Sequence, residues 1–250
     1  MRSLQLKKFV TTSVLAAIVI FLGLTPYGII PLGFMNVTIL CIPVIIGTVI
    51  LGLKSGLILG LCFGISSTLR AFGIPSPAST LVSNLLAQNP VYVIIMSLLP
   101  RIIVPVTAFI SFKLLSKKRS FVELKQANIL AESLIFVIIV PALLILFYGI
   151  KIISFDVVII LFVIFAIFEL LFTKNSDNSA LIISSVIGSL TNTVLYLGLM
   201  LVFYTACGID SSAVLTLISG TGIIAGGSEA IAAAVICTPV IKALKKARFL

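Results

Sequence analysis

The sequence predicts an all-α polytopic membrane protein, and three observations carry that reading. Of its 250 residues, 60% are hydrophobic and 10% charged, against roughly 25% charged in a soluble domain. Its mean hydropathy is +1.34. Its basic residues gather in clusters between long apolar runs. At about 20 apolar residues per crossing, the chain has room for about eight helices joined by short loops. The same arithmetic excludes a large soluble domain, because so few charges cannot clothe a water-facing surface.

Hydropathy and helix breakers mark eight helices in order. The first, 9–25, follows the basic start MRSLQLKKF. It is read as a retained helix because no clear small-x-small cleavage pattern precedes Pro26. The second and third span 36–52 and 55–72. An uncharged loop at 73–92, containing Pro75, Pro77 and Pro90, leads to the fourth at 93–115. The fifth and sixth, 127–148 and 152–173, form a hairpin, and the last two span 179–204 and 222–243.

Eight crossings put both termini on one side of the membrane. With the termini cytoplasmic, Arg70, Arg101 and Lys151 are the three of 17 basic residues that fall in the outer half. The positive-inside rule demands such an asymmetry, and losing one helix from the count spoils it. The net charge of +10 is thereby assigned to orientation and lipid headgroups, with no nucleic-acid partner.

Gly52, Gly56, Gly60 and Gly64 recur every four residues and line one face of the third helix. Gly222, Gly226, Ala230 and Ala234 repeat the device on the last. The first helix has two smaller pairs, Thr12 with Ala16 and Ser13 with Ala17. Such faces let helices approach closely, within the chain or towards a partner.

Polar side chains are costly in a bilayer and tend to face a cavity or the bundle interior. Asn36, Arg70, Arg101, Asn192 and Glu229 come from five helices, all in the outer half beneath the proline-containing loop. Together they suggest a pocket that opens outwards. The guanidinium of Arg101 suits a ligand carboxylate; structural pairing, with Glu229 for instance, is the other role it fits. Arg70 can contact ligand or snorkel to the interface. Asn192 can bind ligand or bond helix to helix, and Asn36 can bind ligand or cap the second helix.

The chain has no histidine, and Cys41, Cys62, Cys207 and Cys237 stand apart among apolar neighbours. No metal and no cofactor is expected. Glu132, Asp156 and Glu169 lie on the hairpin and receive no catalytic role. No nucleophile and base pair is available, so an enzyme is not expected. No G-x-x-x-x-G-K-[ST] motif is present, so energy for uphill transport would come from elsewhere.

Four stretches then carry a resemblance: IPLGFMNVTILCIPVIIGTVILGLKSGLILGLCFGISS, NPVYVIIMSLLPRIIVP, IGSLTNTVLYLGLMLVFY and GSEAIAAAVICTPVIKALKK. In order and spacing the chain resembles the substrate-binding S-components of energy-coupling factor (ECF) vitamin transporters. The LTNT segment at 190–193 and the last helix look most like pantothenate-type members. The resemblance covers 8–116 and 176–247 of a single transmembrane domain, 1–250. It implies a six-helix core with an inserted transmembrane hairpin at 120–175, which preserves the orientation of everything downstream. It also implies a multi-pass protein of the bacterial cell membrane that captures a small vitamin from outside. Such a protein works with a transmembrane T-component and two cytoplasmic ATPases. Family docking uses an AxxxA-like pattern on the first helix; the matching positions are Ser13 and Ala17, beside Thr12 and Ala16, with Ser and Thr where Ala is typical. Arg101 would meet the vitamin carboxylate. Riboflavin or folate is the alternative within the family. A stand-alone ion-coupled carrier using Glu229 or Asp210 is the alternative outside it.

Overall fold

The computed structural model describes residues 2–31, 36–73, 80–117, 176–209 and 223–246, with positions 212 and 215 besides. The chain divides into two compact units, residues 1–112 with 181–250, and residues 113–180. The expected hairpin helices at 127–148 and 152–173 lie outside the described residues. Among those residues seven α-helices occur. They are α1 Arg2–Leu24, α2 Cys41–Leu51, α3 Leu53–Ala71, α4 Thr80–Gln88, α5 Pro90–Lys117, α6 Ser176–Ala206 and α7 Ile223–Lys246.

Four helices contain spans long and apolar enough to cross a membrane: Gln5–Leu24, Pro90–Ser116, Ala180–Ala206 and Gly226–Lys246. Helix α2 is also apolar, but its 11 residues extend only about 16 Å. A hydrocarbon core is about 30 Å thick. Large apolar side chains stand exposed along the long helices, with Phe9 exposed to 70% and Val194 to 66%. Contiguous apolar surface of this kind is a liability in water and the ordinary lipid-facing surface in a bilayer. The chain has the make-up of a multi-pass membrane protein.

Two segments differ from the sequence expectation. The region expected to open the second helix at 36 instead pairs as an antiparallel hairpin, β1 Ile29–Pro31 with β2 Asn36–Thr38, Ile29 standing opposite Thr38. The amide of Ile39 closes its base by donating to the Gly28 carbonyl at 3.1 Å. The β-branched Val37 and Thr38 favour extended backbone. Helix α2 starts only at Cys41, where Pro43 occupies the first turn and its missing amide costs no helical bond. Asn36 therefore sits in a strand and caps no helix. The second difference is α4, inside the stretch 73–92 expected to be a loop. After it, Asn89 Oδ1 accepts the Val91 amide at 3.0 Å. This N-cap, with Pro90 at the first helical position, starts α5 ahead of the expected 93.

Matched contacts set the helix directions in the first unit. Thr12 shares a hydrogen bond with Ser55 at 3.0 Å, and Gly23 closes on Ser66, so α1 and α3 run parallel. Gly47 of α2 meets Leu15 and Leu59, which places α2 antiparallel to both. The glycine stripe of α3 is used internally. A Cβ at Gly60 would lie 2.6 Å from the Arg101 carbonyl oxygen and 3.1 Å from the Pro105 ring, and one at Gly64 would lie 2.7 Å from Leu98. Helix α5 is thus antiparallel to α3 and packed backbone to backbone against it. Gly52, the first member of the expected stripe, instead forms the α2–α3 joint with φ +96, a conformation open to glycine without steric cost. Helix α6 meets α5 where Gly188 faces Ala108. Helix α7 meets α6 where Gly226 faces Thr193. One core cluster, including Val44, Ile45, Leu59, Phe63, Val104 and Cys237, ties α2, α3, α5 and α7 together. A second joins α4, α5 and α6 around Leu85, Met96 and Tyr204.

Gly60→Ala is expected to lower the stability of the detergent-purified chain by about 1–3 kcal/mol, the usual cost of overpacking a close contact. Gly198 of α6 has open space at its Cβ position. Gly198→Ala should therefore be neutral or gain up to about 1 kcal/mol from helix propensity. Thermal melts of the two variants, followed by size exclusion, check the contrast.

Candidate functional site

Two prolines in α5 shape the site. A proline lacks the amide that would bond the carbonyl four residues earlier. Pro100 therefore leaves the Met96 carbonyl free, and Pro105 does the same for the carbonyl of Arg101. The first is taken up locally: Arg101 Nη1 donates to the Met96 oxygen at 3.0 Å. The second faces Gly60, where no side chain intervenes.

The guanidinium of Arg101 lies between two rings. Its Cζ is 5.4 Å from the Phe63 centroid on α3 and 4.5 Å from the Tyr196 centroid on α6. Arg101 is 6% exposed, and its Nε has no hydrogen-bond partner. Ring faces attract a cation by about 0.5–2 kcal/mol each, well short of what a desolvated charge loses on leaving water. Arg101 is therefore a buried cation held by one carbonyl and two ring faces.

Helix α6 contributes one polar face. Asn192 lies one turn before Tyr196, is 4% exposed, and its Oδ1 has no partner. Ser189, three residues earlier, is fully buried with an unpartnered hydroxyl. Orphaned buried polar atoms are rare in folded proteins and ask for a ligand or water. Arg101 Nε supplies an unused donor and Asn192 Oδ1 an unused acceptor, on the neighbouring helices α5 and α6.

Glu229 behaves differently. Its Oε1 accepts the Thr38 amide at 2.9 Å and the Thr38 hydroxyl at 3.1 Å, while Oε2 accepts the Thr193 hydroxyl at 2.9 Å. The carboxylate is 8% exposed. It is occupied by β2 and α6, so the alternative of Arg101 pairing with Glu229 is not the arrangement found. Arg70, at the last turn of α3, donates through Nη2 to the Thr25 carbonyl at 2.8 Å. It is ten residues beyond Gly60, or about 15 Å along the helix, and so stands apart from the level of Arg101. Of the five candidate residues, Arg101 lies against Tyr196, one helical turn from Asn192 on α6, and Glu229 bonds Thr193, the residue after Asn192. Arg70 stands at the entry to the hairpin, and Asn36 lies on β2.

Phe63, Tyr196 and Ser189 complete the cluster and were absent from the sequence reading. The Pro100–Arg101 pair was a readable signal, since a proline creates the carbonyl that its arginine neighbour satisfies. Nothing in the sequence marks which aromatic side chains flank the guanidinium.

The four candidate docking residues of α1 separate into two faces. Thr12 is buried and bonded to Ser55, and Ala16 packs against the first core cluster. Ser13 and Ala17 are exposed, flanked by Val10, Val14, Ile18 and Phe21. Compared with models of known protein families and with curated proteins, the sequence matches none, and the functional reading rests on this geometry and on the sequence resemblance alone.

Proposed function

We propose that this chain is the substrate-capturing subunit of an ATP-driven uptake system of the energy-coupling factor type. Its substrate is a small vitamin, with pantothenate first, whose carboxylate would meet Arg101; folate, which also carries carboxylates, and riboflavin, which carries none, come next. The observation that carries the reading is Arg101, a buried guanidinium against the rings of Phe63 and Tyr196, with Nε unpartnered and, among the described residues, no carboxylate in a salt bridge with it. A buried cation with no carboxylate in direct contact gains from an anion delivered to it. Asn192 Oδ1 adds an acceptor for a ligand hydroxyl or amide.

In this reading the hairpin end of the bundle faces outside and receives the vitamin, and both termini are cytoplasmic. The T-component docks on the exposed Ser13 and Ala17 face of α1, and two ATPases drive delivery. A stand-alone carrier cycling protons on Glu229 fits less well, because three donors hold that carboxylate in place.

Denaturing the detergent-purified chain and identifying the released small molecule by mass spectrometry should yield a carboxylate-bearing vitamin. An empty chain that binds no member of a vitamin panel defeats the proposal. In titration calorimetry, Arg101→Ala is expected to weaken vitamin binding by about 2 kcal/mol or more, the cost of losing a buried charged hydrogen bond. Arg101→Lys should recover only part of it, since an ammonium lacks the planar fork. Wild-type affinity in Arg101→Ala would remove this residue from the site.

A further inference from the structure

The segment from Thr25 to Thr38 is bound at its two ends by charged side chains from elsewhere in the chain. At the start, Arg70 Nη2 donates to the Thr25 carbonyl, directly before the 3-10 turn Pro26–Gly28. At the end, Glu229 accepts both the amide and the hydroxyl of Thr38. Neither contact is local in sequence; both oxygens of Glu229 are engaged, while Arg70 makes one bond and keeps its Nε unpartnered. The remaining Glu229 oxygen takes the Thr193 hydroxyl, next to Asn192 with its orphaned oxygen. One carboxylate therefore fixes the hairpin base against α6 one residue from the polar cluster.

We infer that Glu229 is a positioning residue that sets the β1–β2 hairpin relative to Arg101 and Asn192 and does not contact the ligand, while Arg70 anchors the segment at its other end. Three features support it. Glu229 has its charge met by donors from two different elements, and a carboxylate so engaged resists displacement. Arg70 holds the Thr25 carbonyl, which lies beyond the last turn of α1 and needs an outside donor. The Ile39 to Gly28 bond closes the hairpin between the two anchors, so they constrain one body. The ligand part of this inference rests on the function proposed above; the anchoring part does not.

The test uses the full chain in detergent, by backbone hydrogen exchange and by pantothenate binding kinetics. Glu229→Gln and the milder Thr38→Val should each raise amide exchange at Thr38 and Ile39 by about 10-fold or more, the scale of a lost charge-assisted bond. Exchange in α5 and α6 should be unchanged. Thr38→Ser, which keeps the hydroxyl, should restore the wild-type rate. For pantothenate, association and dissociation should both quicken in Glu229→Gln and Thr38→Val, with the rates changing more than their ratio. Unchanged exchange in both variants overturns the inference, as does exchange that rises equally in α5 and α6. A selective loss of affinity carried by dissociation alone would return Glu229 to ligand contact and also overturn it. If wild-type chain binds no pantothenate, the substrate reading falls and the exchange result still decides the Glu229 anchor.

Discussion

The close approach of α3 and α5 is the constraint from which the polar interior follows. Gly60 lets the backbone of α3 come against the Arg101 carbonyl, and Gly64 admits Leu98 one turn away. At that separation Phe63, one residue before Gly64, reaches the guanidinium. Pro105 serves the same contact twice, by filling the notch beside Gly56 and Gly60 and by freeing the carbonyl that turns to Gly60. A side chain at Gly60 would force the helices apart and draw Phe63 away from Arg101. Small residues and prolines here do by shape what apolar burial does in water, since lipid gives two apolar helices little reason to associate.

How much of this was legible follows from the range of each signal. The glycine stripe could be read because helical periodicity is local, and its internal use is what the contacts on α5 and on Thr193 display. The hairpin at 29–38 could not be read by hydropathy, because Asn-Val-Thr leads straight into the apolar run taken as the second helix and Ile-Ile-Pro falls in the loop before it. Pairing between segments, which hydropathy does not register, decides their conformation. Helix α4 was hidden by the prolines around it, although Asn89 with Pro90 is a cap signal that marks where α5 begins. Arg101 and Asn192 could be picked out as polar residues in apolar helices, a reliable rule in lipid. Their partners could not, because contacts between α3, α5 and α6 depend on tertiary geometry alone. The two pairs on α1 show the same limit: Thr12 with Ala16 and Ser13 with Ala17 read alike in sequence, and burial separates them.

The hydroxyl groups show how the chain lowers the cost of polarity elsewhere. Thr48, Ser66, Thr68, Ser111 and Ser185 each bond a carbonyl one turn back in their own helix. Such bonds satisfy the hydroxyl without calling on a neighbour and leave it small at the packing surface. Against that background an unsatisfied buried group stands out. Ser189 and Thr238 occupy helical positions where the same self-bond is available, yet their oxygens are unpartnered. Ser189 shares a face with Asn192, which strengthens the case that this side of α6 borders a polar guest.

The three charged side chains nearest the hairpin end divide by what meets their charge. Glu229 has three donors and Arg70 has the Thr25 carbonyl, both from the hairpin or its neighbours. Arg101 has one carbonyl made available by Pro100 and two ring faces. A bundle that only needed to fold could bring Glu229 to Arg101 and neutralise both, since each is buried and they lie on helices that pack on α6. Instead the carboxylate is held to Thr38 and Thr193, and the guanidinium lies against the rings of Phe63 and Tyr196. Breaking a buried pair costs several kcal/mol, so a site built on an Arg101–Glu229 pair would have to lose that pair before it could accept an anion. Keeping the two charges in separate contacts avoids that loss, as the proposed ligand role of Arg101 requires.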